Sequence, residues 1–168
     1  MTEKHCNEIL SKIENEIKSA GLKVKIIENP DGKLLRTAIP CGSSEEFTAL
    51  ADMALVTLES GTELAQIYFT LTAELSEEAS AELNKAFPTL NFYSIIGSYG
   101  IFNSSQVYFK YAVALSEADD AELHASEVLD AYAVAHESLC AAYDVVMAMA
   151  SGALTYADAV KNELLPEM

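Results

Sequence analysis

The fold class expected of this sequence is α+β: an antiparallel sheet built from hairpins, flanked by an N-terminal helix, a middle helix and a long C-terminal helix. Three observations lead there. Apolar residues recur at helical spacing in some stretches and at alternating spacing in others. The alternating runs come in pairs divided by short turn-forming segments. And with 168 residues, 51% hydrophobic and 21% charged, the chain has the length and composition to pack a core.

Cys6, Ile9, Leu10, Ile13, Ile17 and Ala20 recur at helical spacing, and Gly21 stands where a helix-ending glycine belongs. Two strand-like runs, 22–28 and 33–39, flank Asn29-Pro30-Asp31-Gly32, in which proline presets φ and glycine accepts positive φ. A second hairpin is expected from 53–59 and 63–72 around Ser60-Gly61. Residues 41–52 carry two patterns: Phe47, Ala49, Ala51 and Met53 alternate as in a strand, while Ser44 and the two glutamates after it suit a helix start. Ser76 caps a middle helix expected to stop before Pro88. A third hairpin joins 91–102 to 106–115 through Asn103-Ser104-Ser105, with Gly97 and Gly100 marking a bulge. The last long helix is expected to start at a Ser116/Asp119 capping box and to end at Gly152. Its apolar stripe is Ala125, Leu129, Tyr132, His136, Leu139, Tyr143, Val146 and Ala150. At about 1.5 Å per residue it would reach roughly 50 Å, beyond the ~30 Å of a small domain, so it must overhang, kink or pack on a second copy. A short helix over 155–165 closes the chain. The expected organisation is one domain over 1–152, with a short helical extension over 153–168 beyond the seam at Ser151-Gly152.

The net charge of −16 is regional. Residues 1–40 hold seven basic and six acidic side chains; the remainder holds three basic and twenty acidic ones. Phosphate backbones and anionic membrane surfaces require clustered lysine or arginine, so neither nucleic acid nor membrane is expected as a partner. Cys6, Cys41 and Cys140 follow no CxxC spacing and are read as reduced thiols. No apolar leader or bilayer-length apolar run is present, and a cytoplasmic location is the expectation.

In its element order over residues 3–150, its polar amphipathic start, its Asn29–Gly32 hairpin and its acidic helix after Leu115, the chain resembles the YbjN-like family of candidate bacterial sensory-transduction regulators. The resemblance implies a fold similar to that of type III secretion chaperones, which are small acidic dimers that hold an extended segment of an export substrate. It brings no catalytic residues with it. The long final helix and the tail after Gly152 depart from the compact family pattern.

Nothing in the sequence carries a recognisable chemistry. Nucleophile elbows, phosphate-binding glycine loops and calcium-loop spacings are absent, so no catalytic residue, cofactor or metal site is assigned. His136 and Cys140 stand four apart on the long helix, a spacing at which two ligands point one way. Two ligands are not a site, and both residues fall on or beside the apolar stripe; they are read as packing, with a small enzyme or metal protein built on them as the rival. Asp130, Glu137 and Asp144 recur every seven residues and form either a solvated face or a docking stripe for a basic partner. With Ile67, Phe69 and Leu71 turned to the core, Tyr68 and Tyr108 fall on the other sheet face, and a strand over 91–102 would set Tyr93 and Ile95 beside them. These tyrosines and acids are the expected partner-binding residues. The function expected is a non-catalytic protein-binding or regulatory module, chaperone-like and homodimeric.

Overall fold

The computed structural model describes residues 1–30, 32–43, 47–72 and 74–166, with Phe47 and Thr48 described by backbone alone. Helix α1 (Glu3–Ser19) starts where the Thr2 hydroxyl accepts the His5 N–H at 3.2 Å. Its Ile9, Leu10, Ile13 and Ile17 are buried, and Gly21 ends the run at φ 81°. The apolar spacing therefore places one stripe of α1 on the core, as expected.

Six strands follow in one antiparallel sheet: β1 (Val24–Asn29), β2 (Gly32–Pro40), β3 (Phe47–Thr57), β4 (Glu63–Thr70), β5 (Ser98–Phe102) and β6 (Gln106–Ala114). Their order is β1-β2-β3-β4-β6-β5, so all three expected hairpins form. Of the first turn, Asp31 lies outside the described residues. The ambiguous stretch is strand from Phe47 onward, while the Ser44–Glu46 helix start lies outside the described residues. Period-two alternation sorts the sheet into two faces. Thr37, Ala51, Phe69, Phe109 and Tyr99 stand in register across it, and all are buried. One residue on, Arg36, Asp52, Tyr68 and Lys110 form a partly exposed row on the other face.

Helix α2 (Glu77–Tyr93) corrects one expectation. Ser76 caps it, its hydroxyl accepting the Ala79 N–H at 3.1 Å, but the helix runs through Pro88 instead of stopping before it. Proline removes one intrahelical hydrogen bond. Phe87, Thr89 and Leu90 are buried on either side of the exposed Pro88, and their packing holds the helix across that loss. Residues 91–93 are consequently helical and β5 begins only at Ser98. No bulge forms at Gly100, which pairs in unbroken register with Tyr108. A Cβ there would lie 2.5 Å from the Tyr108 ring, so glycine makes room for that ring instead.

Of the three outcomes expected for the long C-terminal helix, the kink is the one found. The segment is two helices, α3 (Ala121–Cys140) and α4 (Tyr143–Ala150), broken at Ala141-Ala142. Alanine is the best helix former, so propensity does not break it. The break lets α4 pack on α2 with Tyr143, Val146 and Met149 buried, which removes the overhang. Nor is the Ser116/Asp119 box used. Asp120 caps α3, its Oδ1 accepting from Glu122 N at 2.9 Å, and Ser116 is stapled from Glu127, whose carboxylate accepts the Ser116 N–H at 3.2 Å. The closing helix α5 (Tyr156–Lys161) is shorter than expected. Glu82 Oε2 accepts the Tyr156 N–H at 2.8 Å, tying α5 to α2. The Lys85 ammonium and that N–H hold the Glu82 carboxyl below its usual range.

The turn into β5 is sterically tight. Gly97 has φ 71°, and a Cβ on it would come within 2.4 Å of Phe109 Cζ and 2.9 Å of the Lys110 carbonyl oxygen. Gly97→Ala is expected to cost about 2–4 kcal/mol, combining left-handed strain with overpacking. Urea denaturation at unchanged slope is the check.

Candidate functional site

The C-terminal end of α2, the α3–α4 break and the segment after α5 enclose an apolar groove of about 430 Å³. Tyr93, Ile95, Val134, Ala142 and Leu164 are among the residues that line it, Tyr93 and Ile95 forming an exposed rim. Among the described residues, Glu137 is the one charged lining residue. Ile95 is 93% exposed and Tyr93 58%. Phe92, 74% exposed, makes an edge contact with Tyr93 at 5.1 Å and extends the apolar patch. Contiguous apolar exposure of this kind marks interaction surfaces.

The rim is fixed in place. Ser138 Oγ on α3 donates to the Ile96 carbonyl at 3.2 Å and lies 3.2 Å from Ser94 Oγ, which also donates to Ile96 O. Asn91 clasps the first turn of β5, accepting the Tyr99 N–H at 2.7 Å and donating to Tyr99 O at 3.1 Å. The Tyr99 hydroxyl then donates to Leu139 O at 2.8 Å in the core. Burial pushes that hydroxyl far above its ordinary value, so it stays a neutral donor. Ile95 thus projects into solvent from a backbone bonded on both sides, which lowers the ordering cost of any contact it makes.

Behind the groove wall, on another side of α3, Cys41, His136 and Cys140 converge, with one donor atom of each within 4.8 Å of the others. His136 Nε2 lies 2.9 Å from Pro40 O and 3.3 Å from Cys140 Sγ, and its ring stacks on Tyr132 at 6.3 Å. The helical spacing of His136 and Cys140 was readable; Cys41, 95 residues before His136 in the sequence, was not.

A polar hollow at the other end of the molecule brings together His5 and His124, whose sequence positions gave no signal. His5 Nε2 is 3.1 Å from His124 Nδ1, and His124 Nε2 is 3.1 Å from Ser116 O. A carbonyl only accepts, so His124 carries its proton on Nε2 and receives one from His5 at Nδ1. Asp119 stands 3.4 Å from His5 Nδ1. The chain ends on a backbone carbonyl, not on a nucleophile. It staples α1 to the start of α3.

The six expected partner residues do not form one surface. Tyr68 and Tyr108 stack at 4.8 Å on the face of the sheet away from the core, as expected, and both are partly exposed. Burial, then Tyr108 and Asp52, push the Tyr68 hydroxyl upward. Tyr93 is not beside them: α2 extends to it and carries it to the groove. Asp130, Glu137 and Asp144 are all exposed, but the helix break divides them. Glu137 lines the groove, while Asp144 Oδ1 accepts the Ser43 N–H at 3.2 Å.

No family model matches this chain, and no curated protein does. Among solved structures, YbjN from E. coli, a candidate transcription regulator, is similar over 80% of this chain and 91% of its own, at 12% identity and a TM-score of 0.46. The YbjN-like resemblance of the sequence recurs there as a likeness of fold, and nothing about function is taken from it. No helix among the described residues is long and apolar enough to cross a membrane.

Proposed function

We propose that this chain is a non-catalytic binding and regulatory module whose groove takes an apolar segment of another protein with basic residues beside it. The observation that supports this most is the exposure of Ile95 on a rim bonded on both sides, within a mostly apolar lining. Charge indicates the flanking residues. Glu137 lies in the groove, and after residue 40 the chain has only Lys85, Lys110 and Lys161 against twenty acids. A basic flank is attracted and an acidic one repelled.

The proposal includes a cytoplasmic setting, where the thiols stay reduced, and a homodimer. Of the two surfaces considered for pairing, the long helix and the sheet's second face, we assign the face on which Tyr68 and Tyr108 stack. Light scattering should give twice the chain mass, falling to the chain mass in a Tyr68→Ala/Tyr108→Ala variant; a monomer at all concentrations removes the dimer. The groove is tested by fluorescence anisotropy with two labelled peptides, each a short leucine-rich segment, one flanked by lysines and one by glutamates. The lysine peptide should bind more tightly at low salt and lose its advantage at high salt. Equal binding of the two, or none, rejects the assigned partner chemistry.

A further inference from the structure

The Cys41, His136 and Cys140 cluster has the make-up of a metal centre. His136 and Cys140 are one turn apart at the end of α3, and Cys41 directly follows β2, so two independent elements supply the donors. The distance of 3.3 Å between Cys140 Sγ and His136 Nε2 is close to the edge of a zinc tetrahedron, roughly 3.6 Å for bonds of about 2.3 Å to sulfur and 2.1 Å to nitrogen. We propose that Cys41, His136 and Cys140 form a binding site for a thiophilic metal ion of the zinc type.

Three features favour such an ion. Two sulfurs and an imidazole are a soft donor set, poorly suited to calcium or magnesium. The site lies at the C-terminal end of α3, where the helix dipole favours positive charge. Cys41 is 2% exposed, while His136 and Cys140 are partly exposed, so the site is closed behind and accessible in front. Aromatic rings frame it: Tyr132 stacks on His136, and the hydroxyl of Tyr99 is anchored on Leu139.

The proton balance is defined. His136 Nε2 faces a carbonyl oxygen at 2.9 Å, so it carries the ring proton in the metal-free protein. Ligation through Nε2 replaces its hydrogen bond to Pro40 O and moves that proton to Nδ1, and the two thiols release theirs to solvent as the ion takes their place. Two protons leave per divalent ion, so affinity falls as the solution is acidified. Glu137, Ser138 and Ala141 lie on the same stretch of helix as the ligands and line the groove, so the ion would brace that wall. The metal site stands independently of the partner proposal.

The test uses the full chain, reduced with a phosphine and freed of metal. After incubation with zinc and gel filtration, elemental analysis should find one zinc per chain. Cobalt(II) should give a thiolate-to-metal charge-transfer band and intense visible bands of tetrahedral type. Cys41→Ser, His136→Asn and Cys140→Ser should each weaken binding by more than the roughly 10–100-fold that follows loss of an outer-sphere partner. His5→Asn, at the distant histidine pair, should leave binding unchanged. Alkylation followed by mass spectrometry needs no variant: zinc should protect the partly exposed Cys140 and leave Cys6 as reactive as before. Substoichiometric zinc, a cobalt spectrum without the thiolate band, an unprotected Cys140, or ligand variants that bind like the parent would each overturn the site.

Discussion

Replacing Phe109 with alanine is expected to remove about 3–5 kcal/mol of folding stability, the range for deleting a fully buried aromatic ring. Phe109 is 0% exposed. Its ring lies 4.8 Å from that of Tyr99 and 6.2 Å from that of Phe69, and it sits under Gly97. It therefore joins the middle of the sheet to the turn that sets the groove rim. Domains of this size hold only about 5–15 kcal/mol in all, so the variant should unfold at a much lower urea concentration with an unchanged slope. A loss under about 1 kcal/mol would mean that β6 does not hold the core as described.

Ile95→Ser is expected to have the opposite profile. The side chain is 93% exposed, so stability should stay within about 0.5 kcal/mol of the parent. Binding of the lysine-flanked peptide should weaken about 10–100-fold, since burying an isoleucine is worth about 1.5–3 kcal/mol and each 1.4 kcal/mol is tenfold in affinity. Binding that survives the change would remove Ile95 from the contact surface. The two substitutions separate the framework from the surface it presents.

What the sequence made legible was local. The β1–β2 and β3–β4 hairpin pairings, the Ser76 cap and the apolar stripe of α1 each depend on residues within a few positions of one another, and each recurs in the fold. Where packing opposed a local rule, packing prevailed. Pro88 is carried inside α2 by buried neighbours, and two alanines interrupt a helix that propensity would continue. The misplacement of Tyr93 followed from the first of these, since a helix ending before Pro88 leaves residues 91–102 to be read as strand.

The candidate sites were less legible because their members meet only through tertiary structure. His136 and Cys140 announce themselves by helical spacing, but the third donor is Cys41, from the far side of four intervening strands and a helix. His5 and His124 are 119 residues apart and in hydrogen-bonding distance. The groove has no sequence signature, since the alternation that turns Tyr93 and Ile95 outward gives no sign that Val134 and Leu164 stand near them. The acidic bias was visible throughout, and it bears on the partner's charge more than on the position of the site.

The groove as the binding surface is tested most directly by recording backbone amide shifts of the full, isotope-labelled chain as the lysine-flanked leucine peptide is added. The account predicts shifts concentrated at Tyr93, Ile95, Val134, Glu137, Ala142 and Leu164, with Tyr68 and Tyr108 unmoved. Shifts centred on Tyr68 and Tyr108, or none anywhere at saturating peptide, would contradict it.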